Sequence, residues 1–247
     1  MATFSPTVSV DSPRVRRDDH GIVPPARGGD DGRSGRSASP DDRTRLRRAR
    51  LGLLVALTPV LMLFVSFTSA YVVRQGLPTL DPHTNQMVRD WVPIELPNLL
   101  LVNTCILLLS TVSMELARRQ TKREAALSSA GYAPDGLSNG EKALSWLGLT
   151  VVLGTCFLVG QWLVWRQLEG RGFYVATSPS SSFLYLLTGT HAIHLMGGVV
   201  ALLVAGGAVL LRRPAGTRGI LVDVTAWYWH FMALLWIYIL SLLKFAH

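Results

Sequence analysis

The sequence predicts an all-α integral membrane protein: five transmembrane helices in one bundle, preceded by an N-terminal tail with too little apolar material to fold. Three observations carry that prediction. Hydrophobic residues make up 49% of the 247 residues and charged residues only 16%, a balance unlike that of a soluble domain. The apolar residues gather in five runs, each close to or above the roughly 20 residues that cross a bilayer. The basic residues collect at the ends of those runs, where they orient spans. The formal charge of +8 therefore reads as membrane topology. No basic motif interleaved with aromatics is present, and no nucleic-acid partner is expected. Cys105 and Cys156 fall inside apolar runs without a C-x-x-C spacing or a disulfide framework, and read as small buried hydrophobes.

Residues 1 to about 42 are rich in Pro, Gly, Ser, Arg and Asp. Such a segment cannot repay the entropy of ordering, which predicts a disordered tail. Arg16 and Arg17 are followed by no apolar stretch within reach, so no cleaved export peptide is expected and the tail stays on the cytoplasmic side. The membrane domain then covers 43–247.

The first span, about 51–73, contains Pro59, which predicts a bend in its first third. The loop after it holds four prolines and predicts extended chain and turns, with Trp91 at the interface. In the second span, about 96–117, Asn103, Ser110, Thr111 and Ser113 are unusually polar for a lipid-facing helix and predict a packed perimeter. Glu115 in its last turn is a candidate acidic site on the cytoplasmic side; pairing with Arg118 or Arg119 is favoured over proton handling. The third span, about 143–165, carries Gly148, Gly154, Gly160 and Gln161 and ends at Trp162 and Trp165, read as an interfacial belt.

The fourth span, about 183–211, organises the rest. His191 and His194 sit three residues apart in a bilayer-length helix, about 60° from each other on its surface. With Thr188, Leu195 and Gly198 they form one polar, small face that must point into protein. Gly197, Ala201 and Ala205 follow at the four-residue spacing that lets a neighbouring backbone approach closely. The fifth span, about 220–245, opens with Asp223 and presents W-Y-W-H-F-M-A-L-L-W from Trp227 to Trp236.

Five spans put the termini on opposite sides. Arg43 to Arg50, Arg118 to Arg123 with Lys142, and Arg212 to Arg218 outnumber Arg74, Arg89, Arg166, Arg171 and Lys244 on the other side. The N-terminus is expected in the cytoplasm and the C-terminus outside.

Intramembrane histidines invite a metal or heme. His191 and His194 lie on one helix face and cannot be opposite axial ligands of one heme, whereas His194 and His230 could be. No carboxylate or cysteine at ligand spacing completes a zinc or copper site, and hydrogen-bonded structural histidines are the favoured reading. No Ser-His-Asp set, phosphate loop or carboxylate pair is present, so the chain has no evident active site of its own.

Four motifs reach further. T-G-T-H-A-I-H-L-M-G-G, W-Y-W-H-F-M-A-L-L-W, S-A-Y-V-V-R and L-V-N-T-C-I-L-L-L-S-T-V-S resemble, in order and separation, signature stretches of subunit III of heme-copper terminal oxidases. The resemblance covers about 51–247. It implies a five-helix, non-redox subunit in a bacterial cytoplasmic (inner) membrane, packed against catalytic subunit I of a proton-pumping cytochrome c or quinol oxidase, alongside subunit II. It further implies heme and copper in the partner subunits and none in this chain, bound phospholipid, support of proton uptake, and a path for oxygen. His191, His194, Gly198, Trp229 and His230 fall on signature positions and imply helix-interface or lipid-contact roles. Two positions depart from the family pattern: Val60 stands where a glutamate is usual, and Ala233 where the last helix has an aspartate. Both favour a scaffold over a proton relay. The alternative is a heme-binding membrane anchor or small transporter using His194 and His230; the lack of an internal repeat counts against the transporter.

Overall fold

The computed structural model describes residues 40–80, 87–88, 97–129, 138–175 and 178–245. The tail expected over 1–42 lies almost wholly outside the described residues, as does Trp91. The described residues form five helices: α1 Pro40–Gly76, α2 Asn98–Ser129, α3 Ser138–Gly170, α4 Pro179–Leu210 and α5 Ala215–Phe245. Each contains a stretch long and apolar enough to cross a membrane. At about 1.5 Å per residue every helix exceeds the roughly 30 Å hydrocarbon core, so charged ends project beyond it. The helix α1 is continuous through Pro59 and starts at Pro40, so the last residues assigned to the tail are helical. Between α1 and α2, β1 Thr79–Leu80 and β2 Met87–Val88 pair antiparallel, Thr79 opposite Val88.

Local chemistry sets both ends of α4. Ser178 caps its N-terminus: its hydroxyl accepts from the Ser181 amide, Ser181 Oγ accepts from the Ser178 amide at 3.1 Å, and Pro179 holds the first turn. That is a capping box with proline where its missing N–H costs nothing. At the other end Arg212 takes φ +49°. There Arg213 N donates to Ala208 O and Arg212 N to Val209 O, both at 3.1 Å, the bond pair of a Schellman turn. Pro214 prevents the helix from resuming.

Side-chain contacts fix the topology. Ser113 meets Thr150 and Asn103 meets Phe157 across α2 and α3. Phe157 meets His191 and Trp165 meets Thr188 across α3 and α4. Tyr228 meets the His194 carbonyl across α4 and α5. Along α1 and α5, Arg50 pairs with Asp223 and Thr68 with Tyr238. Rising numbers on one helix match falling numbers on the next, so neighbours run antiparallel and α1, α3 and α5 run parallel. Most of the wholly buried side chains, among them Leu107, Met114, Phe157, Leu187, Leu195, Leu202, Trp229 and Trp236, lie on α2 to α5, and α1 adds Phe64 against His194. The least buried span is α1, which among the described helices packs on α4 and α5.

Two expectations fail. Cys105 and Cys156 are exposed, because an outward apolar position in a bilayer costs nothing, so apolar character alone does not mark the core. Gly197 is also exposed, and the close approach falls one residue on, at Gly198, with Gly154 and Gly160 on α3. Only Gly197 departs: Ala205 of the same spacing is buried in the core, and one residue is about 100° of helix rotation, enough to turn Gly197 away from the contact that Gly198 makes.

Candidate functional site

The charged end of the bundle is built around Asp223, whose side chain is 3% exposed in the third turn of α5. Arg50 of α1 donates Nε to Asp223 Oδ2 at 2.8 Å, and Arg118 of α2 donates Nε to Oδ1 at 2.8 Å. Lys122 Nζ lies 3.3 Å from Oδ1. A single carboxylate thus ties three helices. Arg118 also donates to Glu115 at 3.2 Å and Arg119 Nε does so at 3.1 Å, so Glu115 is paired with both neighbouring arginines. His230 Nε2 stands 3.6 Å from Glu115 Oε2, and the Arg118 guanidinium lies 5.9 Å from the centroid of the Trp227 ring. A charged carboxylate inside a lipid-embedded bundle persists only with cations supplied at hydrogen-bond distance.

A second layer joins α2, α3, α4 and α5 through one indole. Trp229 Nε1 donates to Ser110 Oγ at 3.0 Å. Its ring fills the space left by Gly154 and Gly198: a Cβ on Gly198 would stand 3.1 Å from Trp229 Cζ3 and 3.0 Å from Tyr228 Cε1. Tyr228 Oη donates to the His194 carbonyl at 2.8 Å. A bulky aromatic opposite a missing side chain lets α4 and α5 approach while the indole N–H keeps a partner.

The histidines take separate surroundings. His191 is fully buried, 5.1 Å from the Trp236 ring and 6.1 Å from that of Phe157, centroid to centroid. His194 is half-buried; its Nδ1 lies 2.8 Å from Thr190 O on its own helix and its ring sits 6.0 Å from Phe64 of α1. His230 faces Glu115 of α2. His194 Nδ1 and His230 Nε2 thus have different neighbours, one on its own helix and one on α2. Among the described residues no group of three or more His, Cys, Asp or Glu side chains is placed to hold a metal ion. Gly198 and Trp229 share one joint, to which Tyr228 ties the His194 carbonyl, Glu115 and His230 share another, and His191 packs between Phe157 and Trp236.

Sequence reasoning passed over Asp223 as an anchor and missed Arg50 as its partner, although an acid in an apolar run commonly pairs with a cation. It also missed the buried pairing of Asn103 Nδ2 with Phe157 O at 3.1 Å. Trp165, assigned to an interfacial belt, donates Nε1 to Thr188 Oγ1 at 3.1 Å and so belongs partly to the α3/α4 contact.

Comparison with known proteins agrees with this architecture. A family model described as cytochrome c oxidase subunit III matches residues 42–245. A probable cytochrome c oxidase subunit 3 of Mycobacterium tuberculosis is 33% identical over 103 residues, covering 40% of this chain and 49% of the relative. Cytochrome c oxidase subunit 3 of Corynebacterium diphtheriae is 36% identical over 98 residues, 37% of this chain and 45% of that one. The subunit 3 of Pelomedusa subrufa is 26% identical over 195 residues, 77% of this chain and 66% of that one. The chain spans about half the length of the first two relatives and just under two thirds of the third. The match over nearly the whole helical bundle makes this multi-pass membrane protein a member of the cytochrome c oxidase subunit III family.

Proposed function

We propose that the chain is the non-redox subunit III of a proton-pumping heme-copper terminal oxidase, packed against catalytic subunit I, with subunit II in the same complex. The observation that carries this reading is the family match running from the start of the first helix to the end of the last. The chain's own chemistry supports a scaffold. Glu115 and Asp223 are both engaged by arginines, and His230 faces Glu115, so these charged groups tie helices together. In this role the bundle stabilises subunit I, supports proton uptake at the cytoplasmic face, contacts phospholipid and admits oxygen. Glu115 with His230, and His191, His194, Gly198 and Trp229, act at helix interfaces or lipid contacts. The names of the relatives favour cytochrome c over quinol as electron donor for the complex. The site is a bacterial cytoplasmic membrane, with the N-terminus inside, because the basic ends of α1, α2 and α5 lie together at the Asp223 end.

Affinity capture of the tagged full chain from native membranes in mild detergent tests this reading. The expected result is stoichiometric recovery of a larger chain carrying heme and copper, and faster loss of oxidase activity during turnover when this subunit is deleted. A chain that emerges alone from membranes holding an intact oxidase, or that itself carries iron in stoichiometric amount, overturns it.

A further inference from the structure

Three buried side chains break the habit of the rest of this bundle. Thr104, Ser110, Ser113 and Thr150 each donate to a carbonyl of their own helix, the usual way a hydroxyl is satisfied in lipid. Asn103 Oδ1, both amide atoms of Gln161 and both ring nitrogens of His191 have no bonding partner among the described residues. Asn103 and Gln161 are 1% exposed and His191 0%.

Other contacts bring these atoms to one level. The Asn103 carboxamide lies along α3 between Phe157, whose carbonyl it bonds, and Gly160, where a Cβ would collide with it. Phe157, Gln161 and Trp165 follow one another at four-residue spacing on one face of α3. Phe157 packs edge-on to His191 and Trp165 bonds Thr188. Gln161 therefore faces α4 in the interval between Thr188 and His191, with Asn103 one turn away.

We infer that this interval between α2, α3 and α4 is an internal hydration site, in which one or two water molecules bridge Asn103, Gln161 and His191. The donor set selects water. Asn103 Oδ1, Gln161 Oε1 and one nitrogen of a neutral imidazole accept, while Gln161 Nε2 and the other ring nitrogen donate. A buried water makes about three such bonds in either sense. An anion would meet acceptors without a cation, a metal ion would find one imidazole and no carboxylate, and an apolar molecule would leave every group unpaired. The Thr188 hydroxyl already donates to the Leu184 carbonyl and accepts from Trp165. The site follows from the bundle alone and stands whether or not the chain serves an oxidase.

Radiolytic hydroxyl labelling of the full chain in lipid nanodiscs, in heavy-oxygen water, tests the proposal, because bound water labels the side chains beside it. Phe157 and Trp236 are expected to take up label several-fold above Phe64 and Trp229, which are equally buried in the dry core. Equal labelling of all four overturns the site. Gln161→Leu supplies the second reading. With water bound, the variant loses those bonds and melts about 3 °C lower or more, and the label at Phe157 falls to the dry level. In a dry site the apolar replacement removes an unpaired amide at no loss, so an unchanged or higher melting temperature overturns the proposal as well.

Discussion

The six-membered ring of Trp229 lies on the bare backbone of Gly154: a Cβ built at that glycine would stand 2.6 Å from Cη2 and 2.9 Å from Cζ2. Real side chains do not approach so closely, so Gly154→Ala must push the indole away from Ser110. The expected loss is about 1–3 kcal/mol, the usual cost of overpacking a closed core. Gly148 on the same helix has nothing within 4 Å of its built Cβ, and Gly148→Ala is expected to gain about 0.5–1 kcal/mol from backbone entropy. Denaturant unfolding in detergent, followed by tryptophan fluorescence, measures both. Equal effects of the two substitutions would rule out the packing described.

The indole N–H of Trp229 has its partner on another helix, at Ser110 Oγ. Trp229→Phe keeps an aromatic body but leaves the serine without its donor and opens a small void. Ser110→Ala leaves the indole N–H buried and unpaired. Each single change is expected to cost about 1–3 kcal/mol. A double-mutant cycle should return a coupling of about 1 kcal/mol; additive losses would show that the bond does not join α2 to α5.

The fold was legible because bilayer length and flanking charge are properties of a run of residues, and all five runs carry both. Burial was not legible in the same way. In water an apolar residue seeks the interior, but in lipid the exposed faces of Cys105, Leu109 and Ile193 are as apolar as the core. What marks the inside here is polarity and smallness: Asn103, Ser113, Thr150, Thr188 and His191 are all buried. The sequence reading used that signal for α4 and placed His191 and Gly198 correctly on an inward face. It chose Gly197 in place of Gly198 for the close approach because a four-residue spacing does not state its rotation. Asp223 was overlooked for a different reason: its cations come from α1 and α2, more than a hundred residues away in the chain, and no local spacing reports them.

Asp223 makes the charged end selective in its sensitivity. Arg118 is 16% exposed and also holds Glu115, whereas Arg50 is 39% exposed. Asp223→Asn keeps the shape but leaves Arg118 near a neutral amide, with an expected loss of about 2–4 kcal/mol. Arg118→Gln should cost a similar amount. Arg50→Gln removes a partner that water and headgroups already screen, and should cost at most about 1 kcal/mol. Thermal unfolding of the three variants in one detergent checks the order. An Arg50 effect as large as that of Asp223 would contradict the placement of the anchor between α2 and α5.

Arg212 is the only described non-glycine residue with positive φ, +49°, and it holds the αL position of the turn that ends α4. A side chain in that region costs roughly 1 kcal/mol relative to glycine. Glycine gives back part of this through a more flexible unfolded chain. The two bonds of the turn, from Arg212 N and Arg213 N, are made by the backbone and survive the change. Arg212→Gly is therefore expected to be neutral to stabilising by up to about 1 kcal/mol, while Arg212→Val, β-branched and unsuited to αL, should cost about 1–2 kcal/mol. Arg213→Gly serves as the charge control, since it removes the same charge one residue on without changing the αL position. If both glycine variants lose stability equally, the lost charge and not the backbone conformation governs this turn.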